Sequence, residues 1–106
     1  MPKLNLRKEL EARILEHPDI ELKKSRFAAK PAFFAGKKEI AHFHNDHEMD
    51  LRLTRAGIKK LNFHKNSDPR CQVRSASSDW VEITFKKEED LGFVLGLLET
   101  AVKNNS

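Results

Sequence analysis

Apolar residues return every three or four positions near both ends of the chain and every second position between them. Leu6, Leu10 and Ile14 stand four apart with Leu15 beside them, while Arg7, Lys8, Glu9, Glu11, Arg13 and Glu16 fill the other positions. That spacing predicts a helix from Leu6 to Glu16 with one buried face. Asn5 is placed to cap it, and Pro18 ends it by disfavouring the α region at His17. Leu91, Val94, Leu95, Leu98 and Val102 repeat the pattern, broadened by Phe93 and Leu97, and predict a helix from Glu88 to Lys103. Its first turn holds Glu88, Glu89 and Asp90, where negative charge suits the helix dipole.

Between the helices the period changes to two. Ile20-Glu21-Leu22-Lys23-Lys24 reads as a short strand, and Ala32-Phe33-Phe34-Ala35 as another. Gly36-Lys37 forms a tight turn into a returning strand from Glu39 to His44. Asn45-Asp46-His47 is the next turn, followed by a strand from Met49 to Leu53. There Met49, Leu51 and Leu53 share one face, and Asp50 and Arg52 share the other. Thr54 can cap a short helix over Arg55 to Asn62 that buries Ile58 and Leu61, although Gly57 costs it about 1 kcal/mol. Residues 64–78 have no periodicity and read as a long loop. Asp79 to Phe85 is the clearest strand, with Val81, Ile83 and Phe85 on one side and Trp80, Glu82 and Thr84 on the other.

The connections are too short for parallel crossovers. The expected fold is therefore α+β: a largely antiparallel sheet of about five strands. The N-terminal and C-terminal helices pack on one face, and a short helix is inserted. One domain spans 1–106, with ends expected to fray at 1–4 and 104–106.

Composition narrows the class. The apolar share of 39% is enough for a core, and the charged share of 34% is high. The net charge of +4 is local in origin. Arg55, Lys59, Lys60, Lys65, Arg70 and Arg74 face only Asp68 within 55–74, and the rest of the chain is close to neutral. The sole cysteine, Cys71, excludes an intrachain disulfide and reads as an incidental loop residue despite Arg70 and Arg74 nearby. No apolar run approaches the roughly 20 residues that cross a membrane, and Met1 to Glu9 carries no signal-peptide pattern. The expectation is a cytoplasmic protein with no membrane partner.

The chemistry concentrates in one stretch, where His42, His44 and His47 fall within six residues. On a strand, His42 and His44 point to the same face. Two such imidazoles can share a metal, with His47, Glu48, Asp50 or His64 as a third ligand. They can also bind or protonate a ligand, or stand as ordinary polar side chains of a half-exposed sheet. Asp50 and Arg52 project from the neighbouring strand, and an Arg among histidines suits a carboxylate or phosphate. A cross-strand ion pair is the plainer role for them. Trp80 offers an aromatic wall or simply packs. Ser75, Ser77 and Ser78 precede it as turn formers, and no G-x-S-x-G elbow makes one a nucleophile.

The ordered set His17-Pro18-Asp19-Ile20, Pro31-Ala32-Phe33-Phe34, Ala41-His42-Phe43-His44, Asp50-Leu51-Arg52-Leu53 and Ser77-Ser78-Asp79-Trp80-Val81-Glu82 carries a resemblance. With the closing helix from Glu88 to Val102, it resembles the "luciferase" domain family of small bacterial and fungal proteins. The resemblance covers nearly the whole chain and brings no assigned catalytic residue with it. A TIM-barrel flavin luciferase needs about 250 residues and does not fit. The element order also resembles frataxin-like α+β domains, a likeness of fold alone.

The chain thus reads as a binding module rather than an enzyme. Its site is His42, His44, Asp50, Arg52, His64 and Trp80, its partner a small anion or an acidic protein segment, and it has no cofactor. Nucleic-acid binding through 55–74 and a metal-dependent enzyme built on His42 and His44 are the alternatives.

Overall fold

Alternation and helical spacing translate into elements close to those expected. The computed structural model describes residues 5–24, 31–61, 69–73 and 78–105. Helix α1 (Leu6–Leu15) leads into β1 (Ile20–Lys24), β2 (Pro31–Ala35), β3 (Lys38–Phe43) and β4 (Glu48–Arg52). Then come α2 (Arg55–Leu61), β5 (Cys71–Gln72), β6 (Trp80–Thr84) and α3 (Glu88–Asn104). His64, Ser75, Ser77 and most of the expected loop 64–78 lie outside the described residues, as do residues 1–4.

All neighbours in the sheet are antiparallel, in the order β1-β2-β3-β4-β6-β5. Gly36 closes the β2–β3 hairpin with φ +64°, a conformation that glycine adopts without steric cost. The inner face collects Phe33, Ala41, Phe43, Met49, Leu51, Val81 and Ile83 against Leu10 and Ile14 of α1 and Leu91, Val94 and Leu98 of α3. Phe43 meets Phe33 and Phe85 edge-on, at ring-centroid distances of 5.7 and 5.9 Å. Among the described residues the helices pack on this face, and the outer face carries the polar members of β3, β4 and β6.

Two boundaries differ from expectation. A sixth strand, β5, lies inside the expected loop and pairs Cys71 with Ile83 and Gln72 with Glu82. Two residues are too few for periodicity to reveal; they are held by ladder bonds to β6. At the other end, Asn104 and Asn105 are tied down rather than frayed. Asn104 Nδ2 donates to Leu53 O at 2.9 Å, and Asn105 Nδ2 donates to Arg52 O at 2.8 Å. These bonds fix the end of α3 to the end of β4.

The start of α3 is set by Asp90, which is buried and accepts from the backbone N–H groups of Lys86 and Lys87 and from Arg70. Those donors hold its carboxyl below the ordinary value, against the opposing effect of burial. The link from β4 to α2 is less relaxed. Thr54 sits at φ 70°, a left-handed conformation costly for a β-branched residue. Its N–H donates to Asp79 O, and its Oγ1 caps Gly57 N–H.

Candidate functional site

Strand parity places the outer-face residues. His42 stands opposite Asp50 across β3 and β4, and Arg52 stands opposite Trp80 across β4 and β6. His44 lies just past the end of β3 and keeps the pairing through His44 N–H to Glu48 O at 2.9 Å. Two residues beyond His42, it points to the same side.

The imidazoles converge on one carboxylate oxygen. His42 Nε2 is 2.9 Å and His44 Nε2 2.7 Å from Asp50 Oδ2. The two rings meet edge-on at 5.5 Å, and Trp80 lies tilted over His42 at 5.3 Å. One donor atom from each of His42, His44 and Asp50 fits within a span of 4.8 Å.

A fourth member comes from an irregularity. Residues three apart on a regular strand face opposite ways, so Glu39 would turn inward if His42 turns outward. Between β2 and β3 the register shifts: Phe33 pairs with Ala41, but Phe34 pairs with Glu39. Ile40 is the extra residue of a β-bulge. Ile40 and Ala41 both enter the core, and parity is reset. Glu39 Oε2 thereby reaches 3.3 Å from His42 Nδ1 on the outer face, with Glu39 itself buried.

Asp50 and Glu39 set the electrostatics. The hydrogen bond that His42 donates to Asp50 raises the pKa of His42 above the ordinary 6.5, with burial opposing and the charges of Asp50 and Glu39 assisting. Burial pushes the Asp50 carboxyl up, and the hydrogen bonds from His42 and His44 outweigh it, so its pKa falls below 3.8. The network is incomplete. Glu39 Oε1, Asp50 Oδ1 and His42 Nδ1 are buried without a hydrogen-bond partner, the Nδ1–Oε2 approach lacking hydrogen-bond geometry. Buried polar atoms of this kind are rare and costly in native folds.

Of the residues expected at the site, His42, His44, Asp50 and Trp80 come together. Arg52 shares their face, but its guanidinium lies 3.8 Å from Asp79, a partner that sequence spacing did not indicate. His64 falls outside the described residues. His47 and Glu48 are exposed at the hairpin turn, and Glu48 accepts from the Asn45 amide. Within the basic span, Arg55, Lys59 and Lys60 are exposed on α2, while Arg70 pairs with Asp90.

An antiparallel α+β domain with an imidazole–carboxylate cluster on the sheet face opposite its helices is the class that fold and site define. The Luciferase domain family matches residues 37–101, and the chain belongs to that family. The match takes in Glu39, His42, His44, Asp50 and Trp80 and leaves out α1, β1 and β2. No curated protein and no solved structure matches the chain. No described helix is long and apolar enough to cross a membrane.

Proposed function

We propose that the chain binds a divalent transition-metal ion through His42, His44 and Asp50, with coordination positions left open for a small oxygen-donor ligand. The convergence of three donor atoms within 4.8 Å carries the reading. Two imidazoles and one carboxylate suit zinc or iron(II), and three protein ligands with open positions mark sites that bind or transform a ligand. Ligands of a tetrahedral zinc ion lie about 3.3 Å from one another, so Asp50 Oδ2 has to draw back by about half an ångström from the imidazoles, within a donor set spanning 4.8 Å at most. The unpartnered Asp50 Oδ1 supports a group waiting for a cation.

Direct capture of an anion by the side chains is less favoured. Glu39 and Asp50 put negative charge among the imidazoles, and Arg52 is turned toward Asp79. A bound dication reverses that balance and gives an anionic ligand its counter-charge, with Trp80 as a wall. The sole cysteine, Cys71, fits a reducing, cytoplasmic setting.

The test is a titration of protein carrying no polyhistidine tag, with zinc and with cobalt(II). Binding of one ion per chain is expected, with perturbed fluorescence of Trp80, the only tryptophan. His42→Ala, His44→Ala and Asp50→Ala should each weaken it severely. Wild-type protein that takes up neither ion, or variants that bind as well as wild type, would overturn the assignment.

A further inference from the structure

We infer that Glu39 is a positioning residue for the metal site, holding His42 through Nδ1 so that Nε2 is presented to the ion. The inference rests on the metal reading above and names a residue which that reading does not need. Glu39 is buried at 7% exposure, its Oε2 is 3.3 Å from His42 Nδ1, and its Oε1 has no partner. A carboxylate in that setting is costly unless something in the site uses it. His42 is the cationic or hydrogen-bonding group beside it, and the bulge at Ile40 is the reason the two share a face.

An imidazole that ligates through Nε2 must carry its proton on Nδ1, and a carboxylate at Nδ1 fixes that tautomer, aims the ring and raises its basicity. Glu39 is close enough for a small ring rotation to convert the present contact into a full Nδ1–H···Oε2 hydrogen bond. His44 reaches Asp50 through the same Nε2 atom, but among the described residues no carboxylate is paired with its Nδ1. The two imidazoles therefore differ: His42 is held from behind, and His44 is positioned by the hairpin backbone.

The experiment compares wild type with Glu39→Leu, Glu39→Gln, His42→Ala and the Glu39→Leu/His42→Ala double variant. Zinc affinity is measured by competition with a chelator, and the His42 ring nitrogens are followed by NMR in the zinc-loaded protein. Glu39→Leu should weaken zinc binding roughly 10–100-fold, the range for loss of such an outer partner. Glu39→Gln, whose amide oxygen still accepts from Nδ1–H, should lose less. In wild type the NMR should report Nδ1 protonated and Nε2 metal-bound. Adding Glu39→Leu to His42→Ala should cause no further loss, because Glu39 acts only through His42. Wild-type binding that survives both Glu39 substitutions unchanged overturns this inference alone. Zinc bound through Nδ1 overturns it too. If wild type binds no metal, the site reading and this inference fall together. Should Glu39→Leu fail to fold, the near-isosteric Glu39→Gln decides the question by the same affinity measurement.

Discussion

The stability gap between zinc-loaded and metal-free protein should widen as pH rises above about 6.5, and the reason lies in one imidazole. His42 donates to Asp50 Oδ2 at 2.9 Å, and that bond lifts its folded pKa above the ordinary 6.5. A raised pKa means that the folded state holds the proton more tightly than the unfolded chain. The stabilisation is fully present below pH 6.5 and is lost as pH rises through the folded value. One proton sets a ceiling of about 1.4 kcal/mol per pH unit, or roughly 5–10 °C in Tm for a domain of this size. The His42 side chain keeps 30% of its surface exposed, so solvent screening holds the realised slope below that ceiling.

Zinc needs the imidazoles neutral, so each proton lost removes a competitor and affinity rises through the same window. At saturation a tenfold gain in affinity adds about 1.4 kcal/mol of stability. Denaturant unfolding at 25 °C, from pH 5.5 to 8.5, with chelator or with excess zinc, would follow both limbs. With chelator, stability should fall as pH rises, and Asp50→Asn should flatten the fall. With zinc, the gap between loaded and metal-free protein should widen over the same range. Metal-free stability that stays flat or climbs, with Asp50→Asn indistinguishable from wild type, would refute the argument.

Other expectations concern the scaffold. Thr54→Asn should stabilise by about 1 kcal/mol in denaturant unfolding, because Asn tolerates φ 70° and keeps an acceptor for the Gly57 N–H. Asp90→Ala should cost about 2 kcal/mol near neutral pH by leaving the Lys86 and Lys87 N–H groups and Arg70 without their shared acceptor. The Asp90 pKa is lowered from 3.8, so its stabilisation is present above that pH and lost as pH falls through the folded value; the two proteins should converge in acid. Phe85→Ala, at a fully buried ring packed on Phe43, should cost about 3–5 kcal/mol. A loss under 1 kcal/mol by calorimetry would contradict the core assignment.

What the sequence made legible follows the reach of its periodicities. Met49, Leu51 and Leu53 alternate with Asp50 and Arg52, and β4 buries the first set and turns the second outward. The same parity brings His42, His44 and Asp50 together. Glu39 escaped because strict alternation assigns it to the opposite face from His42. A trace existed in the adjacent apolar pair Ile40-Ala41, which interrupts the alternation where the extra residue is inserted. Arg52 was placed on the correct face, yet parity says nothing of reach, and its long side chain extends to Asp79 rather than to the imidazoles. β5 and the Asn105 tether depend on partners distant in sequence, Ile83 and Arg52, which no local window contains.

The division between the two sheet faces bears on what the cluster is for. Met49, Leu51, Val81 and Ile83 of β4 and β6 point to the helices, so the inner face supplies its packing without help from the imidazoles. On the outer face, Ala32 and Phe34 are buried beside Glu39, an apolar setting in which leucine at position 39 would pack at no electrostatic cost. Hydrogen bonding within the cluster does not offset that cost, since one oxygen of each carboxylate and one nitrogen of His42 remain unpartnered. Two imidazole N–H groups also crowd a single Asp50 oxygen while its second oxygen stands idle. A cluster tuned for stability alone would share those donors between both oxygens. On the metal reading proposed above, exchanging those donors for a cation gains from keeping the donor atoms of His42, His44 and Asp50 within 4.8 Å of one another.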